Sequence, residues 1–140
     1  MTTILRNVAG LLLGMVCGFV VNMTIVMIGP SIIPPPPGVD VTDAKSLAAS
    51  IHLFGPQHFV VPFVAHAAGT FVGAAVAYLV SATYRTAFAF AVGAVSFAGG
   101  VAASQMIPAP IWFIVVDLVG AYFPMAWIAV RVARRFTENP

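Results

Sequence analysis

Residues 111–127 read IWFIVVDLVGAYFPMAW, an almost entirely apolar run with the carboxylate Asp117 near its middle. A helix of about 20 mostly apolar residues is long enough to cross a bilayer. The run extends from Pro110 to Arg131 with no other charge before that arginine, so it predicts a membrane span. An acid inside a span costs about 2.5–3.5 kcal/mol on insertion scales, and we therefore expect Asp117 to face a bundle interior with a polar partner.

The composition of the whole chain is that of a membrane protein. Of the 140 residues, 61% are hydrophobic and 7% are charged, whereas about a quarter of the residues in soluble domains are charged. Four stretches reach spanning length, at residues 4–29, 58–81, 87–107 and 110–131. The first is too long for the apolar core of a signal peptide, and no A-x-A-like cleavage site follows it. We predict an all-α integral membrane four-helix bundle that forms a single domain over residues 1–140.

Five of the six basic residues lie in three places that an even number of spans brings to one side of the membrane, and the sixth, Lys45, lies in the long connection between the first two spans. Arg6 precedes the first span, Arg85 lies between the second and third, and Arg131, Arg134 and Arg135 follow the fourth. The positive-inside rule makes this side cytoplasmic, so both termini are predicted to be cytoplasmic and residues 30–57 to face outward. The pI of about 9.1 could suggest a nucleic acid partner, but these arginines lie at span ends and form no soluble patch. We therefore predict a lipid bilayer as partner and no nucleic acid.

The long connection between the first two spans carries its own signals. The stretch GPSIIPPPPG, residues 29–38, predicts the end of the first helix and then a stiff spacer, because proline has no backbone donor and proline runs favour an extended conformation. Between a cap at Thr42 or Asp43 and a stop at Gly55, apolar residues recur at helical spacing. This predicts a short amphipathic helix on the outer interface, either a connector resting on lipid or a lid over the bundle.

Glycines recur on the predicted spans at the spacing of one helix face. Gly10, Gly14 and Gly18 lie four residues apart, and such stripes of small residues let membrane helices approach closely. His66 has small residues at i+3, i+4 and i+7, which predicts that it points into protein. Several helices carry such faces, so we also expect a homo-oligomer. The predicted helix-packing residues are Gly10, Gly14, Gly18, Gly69, Gly73, Gly99, Gly100 and Gly120.

The most polar side chains of the spans are predicted to lie at one depth. Asn22, His66 and Asp117 are each seven or eight residues from the outer end of their span, which is roughly 10–12 Å at 1.5 Å per residue. With Thr70 and Tyr122 they form the predicted polar layer for a ligand or proton. A histidine and an aspartate can relay a proton, bind a metal or simply fasten helices together by a hydrogen bond.

Signatures of catalysis and metal binding are lacking in the sequence. There is no G-x-S-x-G, no H-E-x-x-H and no phosphate-binding glycine loop. The histidines at positions 52, 58 and 66 match no zinc spacing, and the lone Cys17 cannot form an intrachain disulfide. We predict no catalytic residue, no metal ligand and no cofactor. Whether the protein is an enzyme stays open, and the lack of a recognisable nucleophile favours a non-enzyme.

Three segments carry a resemblance to a known group of proteins. NMTIVMIGPSIIPPPPGVD at 22–40, HLFGPQHFVVPFVAHAAGT at 52–70 and PAPIWFIVVDLVGAYFPMAW at 108–127 together resemble a family of small uncharacterised bacterial four-span inner-membrane proteins. The similarity covers most of the chain. It implies a bacterial inner-membrane location, with residues 30–57 in the periplasm, and it implies no activity or functional residue.

Three functions agree with these observations. The first is a small inner-membrane protein that binds or conducts a proton, ion or small polar ligand through the polar layer near the periplasmic side. The second is a structural or accessory subunit that binds another membrane protein, in which the layer only holds helices together. The third is an intramembrane enzyme that uses His66 and Asp117 as acid and base.

Overall fold

The computed structural model describes residues 2–137, which fold into α-helices joined by short connections. No strand occurs within this range, and the all-α prediction is confirmed. Two 3₁₀ turns, Ile51–Leu53 and Pro56–Phe59, lie between the second and third helices. The helices are α1 (Thr3–Ile32), α2 (Ala44–Ser50), α3 (Val60–Val80), α4 (Arg85–Met106), α5 (Ile111–Gly120) and α6 (Phe123–Thr137).

Within residues 2–137, four helical segments are long and apolar enough to cross a membrane, which indicates a multi-pass membrane protein. The second of them begins with a 3₁₀ turn, and the fourth comprises α5 and α6. Their ends agree with the predicted spans to within three residues, except that the last continues to Thr137. The predicted four-helix bundle is confirmed. The segments are Thr3–Ile32, Pro56–Val80, Arg85–Met106 and Ile111–Thr137.

The first helix ends within the predicted stretch 29–38, but it passes through the first proline of that stretch. Pro30 lies inside α1, which continues to Ile32, and the backbone N–H of Ile33 donates to the carbonyl of Gly29 at 2.8 Å. A proline inside a helix cannot donate to the carbonyl four residues earlier, and its ring crowds that carbonyl. Here α1 continues for two residues after Pro30 before it ends. The helix ends just before Pro34, because a residue that precedes a proline disfavours helical backbone.

The fourth span is two helices and not the continuous helix that the sequence predicted. α5 ends at Gly120 and α6 begins at Phe123. Pro124 explains the break, because it has no N–H to donate to the Gly120 carbonyl and its ring would clash with that carbonyl. The break also changes the direction in which the intervening Tyr122 points.

The predicted helix between the first two spans is present but shorter than its signals indicated. Asp43 is its cap, and its carboxylate accepts the N–H of Ser46 at 2.9 Å. The α-helical part ends at Ser50, after which the 3₁₀ turns lead to Phe59. The other cap candidate, Thr42, donates its hydroxyl and its N–H to Asp40 instead.

The closest helix pair is α1 with α3, and glycines make the contact possible. A Cβ added to Gly14 would lie 2.6 Å from the carbonyl oxygen of Gly73, and one added to Gly18 would lie 2.7 Å from that of Gly69. The reverse additions on α3 would meet the α1 carbonyls at 2.7 and 2.8 Å. Because real Cβ atoms do not approach oxygen so closely, the two backbones can touch only where both helices carry glycine.

One end of the bundle, called here the arginine end, brings together the start of α1, the α3–α4 connection and α6. The Arg6 guanidinium donates to the Val80 carbonyl at 3.2 and 3.3 Å. The Asn7 side-chain oxygen accepts the backbone N–H of Ala82 at 2.9 Å and that of Thr83 at 3.1 Å. Arg134 on α6 donates to a hydroxyl at the start of α4. The orphan groups at the end of α3 are thus satisfied by α1.

A core of small side chains fills the bundle near the arginine end. Its members come from α3, α4 and α6, and alanines on all three helices let the backbones pack closely. The opposite end, called the α2 end, has no comparable alanine core among residues 2–137. The buried residues of the core are Ala74, Tyr78, Ala89, Ala126, Ala129, Val130 and Ala133.

Candidate functional site

His66 on α3 and Asp117 on α5 form a hydrogen-bonded pair in the interior of the bundle. His66 Nδ1 lies 2.8 Å from Oδ1 and 2.9 Å from Oδ2 of Asp117. Asp117 is 5% exposed, and the histidine side chain is 24% exposed. Because an ionised carboxylate only accepts, Nδ1 carries the proton in this pair and a neutral His66 keeps Nε2 as an acceptor. The polar partner that the sequence predicts for Asp117 is thus provided by His66.

Tyr122 completes the hydrogen-bond cluster from the break between α5 and α6. Its hydroxyl donates to Asp117 Oδ2 at 3.0 Å, and its ring stacks at 28° on the His66 ring with centroids 5.9 Å apart. Residues five apart on a continuous helix point in different directions, so the break is what turns Tyr122 back to Asp117. A Cβ at Gly100 would overlap the tyrosine hydroxyl, and the missing side chain of Gly100 thus makes room for it.

A cavity of about 240 Å³ lies at the α2 end and has the pair at its floor. We call it the α2-end cavity. Leu47 and Ile51 cover it, so the apolar face of the α2 segment faces the bundle. Three phenylalanines line its walls. Two of them, Phe59 in the 3₁₀ turn before α3 and Phe113 on α5, have ring centroids 4.7 Å apart. The aromatic and polar lining residues are Phe54, His58, Phe59, His66, Ser104, Phe113 and Asp117.

A second cavity, of about 360 Å³, lies among α1, α3 and α4, and we call it the lateral cavity. His66 and Gly100 line both cavities. Asn22 and Thr70 line the lateral cavity, and Asn22 Oδ1 and Thr70 Oγ1 are buried with no hydrogen-bond partner among residues 2–137. The predicted layer is thus divided: three of its members form the hydrogen-bond cluster, and these two face the neighbouring cavity.

The predicted helix-packing glycines do not all pack within the chain. Gly10 lies against Ser81, the residue that follows α3. A Cβ added to Gly120 would lie 3.3 Å from the Phe63 ring. An added Cβ on Gly99 would meet nothing within 4 Å in the described part of the chain. The prediction that Gly99 packs helices is therefore not met within a single copy of this protein.

Sequence reasoning missed the aromatic walls of the α2-end cavity and the role of His58. Phenylalanines give no specific signal here, because all four spans contain them and most do not line this cavity. The His58 ring joins two parts of the connection: Nδ1 accepts the N–H of Gly55 at 3.0 Å, and Nε2 lies 3.1 Å from the Pro34 carbonyl. The residue thus ties the proline segment to the start of the second span.

The structure also bears on the class of chemistry that the site can perform. Within residues 2–137, no group of three or more His, Cys, Asp or Glu side chains is close enough to hold a metal ion. Cys17 lies half-buried on α1 and lines neither cavity. The groups at hand are one acid, one base, a phenol and a few neutral oxygens, and this set can bind protons, cations and hydrogen-bonding ligands.

Comparison with protein-family models, with curated proteins and with solved structures found no match to this chain. The resemblance to small bacterial inner-membrane proteins therefore stays a prediction.

Proposed function

We propose that this protein is a small multi-pass membrane protein that takes up a proton, or a small polar ligand, at the His66–Asp117 pair. The observation that carries the proposal is the position of this pair in the lining of the α2-end cavity, with His66 also lining the lateral cavity. Histidine is the side chain that titrates near physiological pH. A carboxylate in an apolar interior favours a proton or cation nearby, so the pair is suited to reversible proton binding.

In this proposal, protons or ligand reach the site from the α2 end. The α2-end cavity reaches from Leu47 to Asp117, whereas the alanine-rich core closes the bundle toward the arginine end. Passage to the other side therefore requires a rearrangement of the arginine end. We further propose a bacterial inner membrane with both termini cytoplasmic, because the arginines gather at one end and Arg131 lies over the Trp127 ring at 4.2 Å, as at an interface.

Proton uptake and conduction are measured on the purified protein with Asp117→Asn as the test variant. Proteoliposomes that contain a pH-sensitive dye report proton flux under a potassium diffusion potential, and ¹⁵N-histidine spectra report protonation of His66. We expect the His66 spectrum to change with pH and to respond to Asp117→Asn, with loss of any flux. Asp43→Asn is the matched control, because asparagine caps a helix as well as aspartate.

The proposal is contradicted by one combined result. It is wrong if the His66 spectrum is independent of pH and if flux is the same in wild type, Asp117→Asn and an empty-vesicle control. Either titration of His66 that depends on Asp117 or flux that depends on Asp117 supports it.

A second candidate function is that of a structural or accessory subunit. It is favoured by the hydrogen bonds of Asp117 to both His66 and Tyr122, which join α3, α5 and the break before α6. In that case Asp117→Asn lowers only the thermal stability of the bundle, and a membrane-protein partner co-purifies under gentle extraction. A homo-oligomer is proposed as well, since Gly99 offers a small residue on an uncovered face of α4.

A further inference from the structure

We propose that the ligand of the α2-end cavity is a small amphipathic cation, an amine or ammonium with a compact apolar body, which binds in exchange for a proton. This inference rests on the proposed function, because it names the ligand class of the same site. Three observations carry it: the charge of the cavity, the chemistry of its walls and its size.

The charge of the cavity is negative or neutral and never strongly positive. Asp117 is the only carboxylate in the four spans, and His66 and His58 are the only groups of the described lining that can become cationic. With His66 neutral, the pair carries one net negative charge. With His66 protonated, the pair is neutral. An anionic ligand is therefore repelled by Asp117 in the first state and gains no net attraction in the second.

The other elements that pack around the cavity do not change this charge. α1, α2 and α4 contribute no charged side chain to its lining within the described residues. Tyr122, behind the carboxylate, donates a hydrogen bond and carries no charge when it does so. His58 lies near the α2 end, where its nitrogens are occupied by backbone groups. The negative charge of Asp117 is therefore balanced only by a proton on His66 or by a cation in the cavity.

The walls of the cavity suit an apolar body with aromatic character around a cation. Phe54, Phe59 and Phe113 line it together with aliphatic side chains. Aromatic ring faces attract ammonium groups, and the attraction is larger where water is excluded. A hydrated inorganic ion would gain little from such walls, whereas an organic cation can place its apolar part against them and its charged head toward Asp117.

The size of the cavity limits the ligand to a small molecule. A volume of about 240 Å³ corresponds to about eight waters at roughly 30 Å³ each. A ring with one short aminomethyl arm fits this space. Benzylammonium is therefore a suitable probe, and it has two matched relatives of nearly equal size: neutral benzyl alcohol and anionic benzoate.

The exchange balances in charge and atoms. The protonated pair and a free cation become the cation-bound pair and a free proton, and no bond other than the N–H bond of the imidazolium is broken. Since proton and cation compete for one charge, the affinity for the cation falls as the pair takes up a proton. Binding of the cation to the protonated pair releases about one proton into unbuffered solution.

The test measures binding of the three probes to the detergent-solubilised wild-type protein by calorimetry, at several pH values. We expect benzylammonium to bind at least tenfold more tightly than benzyl alcohol at the highest pH, benzoate to bind more weakly than both, and the preference to shrink as pH falls. Asp117→Asn should lower the affinity for benzylammonium to that for the alcohol. Asp43→Asn, which lies outside the cavity, should leave all three affinities unchanged.

The ranking of the probes on the wild-type protein does not depend on whether a variant folds. The inference is overturned if benzyl alcohol binds as tightly as benzylammonium, if benzoate binds most tightly or if none of the probes binds. His66 titration that depends on Asp117, without preference for the cation, rejects this inference and leaves the proposed function in place. A pair that does not titrate at all rejects both.

Discussion

The two ends of the bundle differ in how closely they are packed and in where their polar side chains lie. At the arginine end, side chains of α1 reach backbone groups at and after the end of α3, an alanine-rich core fills the space between helices, and one buried hydroxyl, of Ser81, has no partner in the described chain. At the α2 end, an acid–base pair lies beside two cavities, and two buried oxygens, of Asn22 and Thr70, have no partner in the described chain. Close packing and polar chemistry are therefore separated along the bundle.

This difference shows how a small protein can hold a polar site in an apolar interior. The glycine contacts between α1 and α3 run from Gly10, near the arginine end, to Gly69, near the polar layer. They fix the backbone of α3, which carries His66 one turn beyond the last contact. The break in the fourth span then supplies Tyr122 from the other side. The closely packed arginine end thus positions the polar groups of the α2 end.

The largest effect is expected from Gly14→Leu, which disrupts the glycine contact between α1 and α3. Its side chain would have to occupy the space of the Gly73 carbonyl and of Ala77, so the helices must separate. We expect a loss of about 3 kcal/mol or more in the free energy of unfolding, measured by thermal or denaturant unfolding in detergent. Gly99→Leu is the matched control, because an added side chain there meets open space and should change stability by about 0.5 kcal/mol or less. Equal loss in both variants would refute the packing argument.

A smaller effect is expected from Tyr122→Phe, which removes one hydroxyl from the polar cluster. The variant keeps the ring that stacks on His66 and loses the hydrogen bond to Asp117. Interhelical polar bonds in membranes contribute about 0.6 kcal/mol on average and up to about 1.7, so we expect a loss of about 1 kcal/mol. Unfolding in detergent measures it, and a variant as stable as wild type would mean that the hydroxyl does not help to hold the cluster.

Much of this comparison follows from the sequence, because it depends on composition and helical spacing. Four apolar stretches predicted the bundle, and their small residues at four-residue intervals predicted the face on which α1 meets α3. The pairing of His66 with Asp117 followed from the shared depth of two polar residues in apolar helices, where each needs a partner. These signals are strong since the membrane permits few alternatives.

The rest depends on tertiary packing that one sequence does not reveal. Pro30 and Pro124 are both prolines within apolar stretches, yet α1 passes through the first and the fourth span breaks before the second. Each proline loses the same hydrogen bond and crowds the same carbonyl, so this rule alone does not separate a proline two residues before the end of α1 from one near the middle of the fourth span. The separation of Asn22 and Thr70 from the cluster likewise depends on how the helices rotate against one another, which depth alone does not fix.

Thr70→Val tests whether the buried oxygens that line the lateral cavity contribute to the stability of the bundle. It is the counterpart of Tyr122→Phe, since each variant loses a single hydroxyl, but Thr70 Oγ1 has no partner in the described chain. Replacing an unpaired polar group by an apolar one of the same shape is nearly neutral or stabilising. We expect a change of about 0.5 kcal/mol or less, or a gain, in the unfolding free energy. A loss as large as that of Tyr122→Phe would show that this hydroxyl does bind something in the lateral cavity.

The smallest effect concerns Asp40, an exposed acid before α2. Like Arg6 at the arginine end, Asp40 at the α2 end is a charged side chain held by hydrogen bonds. The Thr42 hydroxyl and then its N–H donate to the carboxylate and hold the Asp40 pKa below its ordinary value of 3.8. Because the pKa is lowered in the folded chain, these bonds stabilise the turn above pH 3.8 and are lost as pH falls through the folded pKa. A ¹³C-carboxyl titration should find the lowered pKa and its rise in Thr42→Val. Equal pKa values in the two proteins would show that the turn is not held by these bonds.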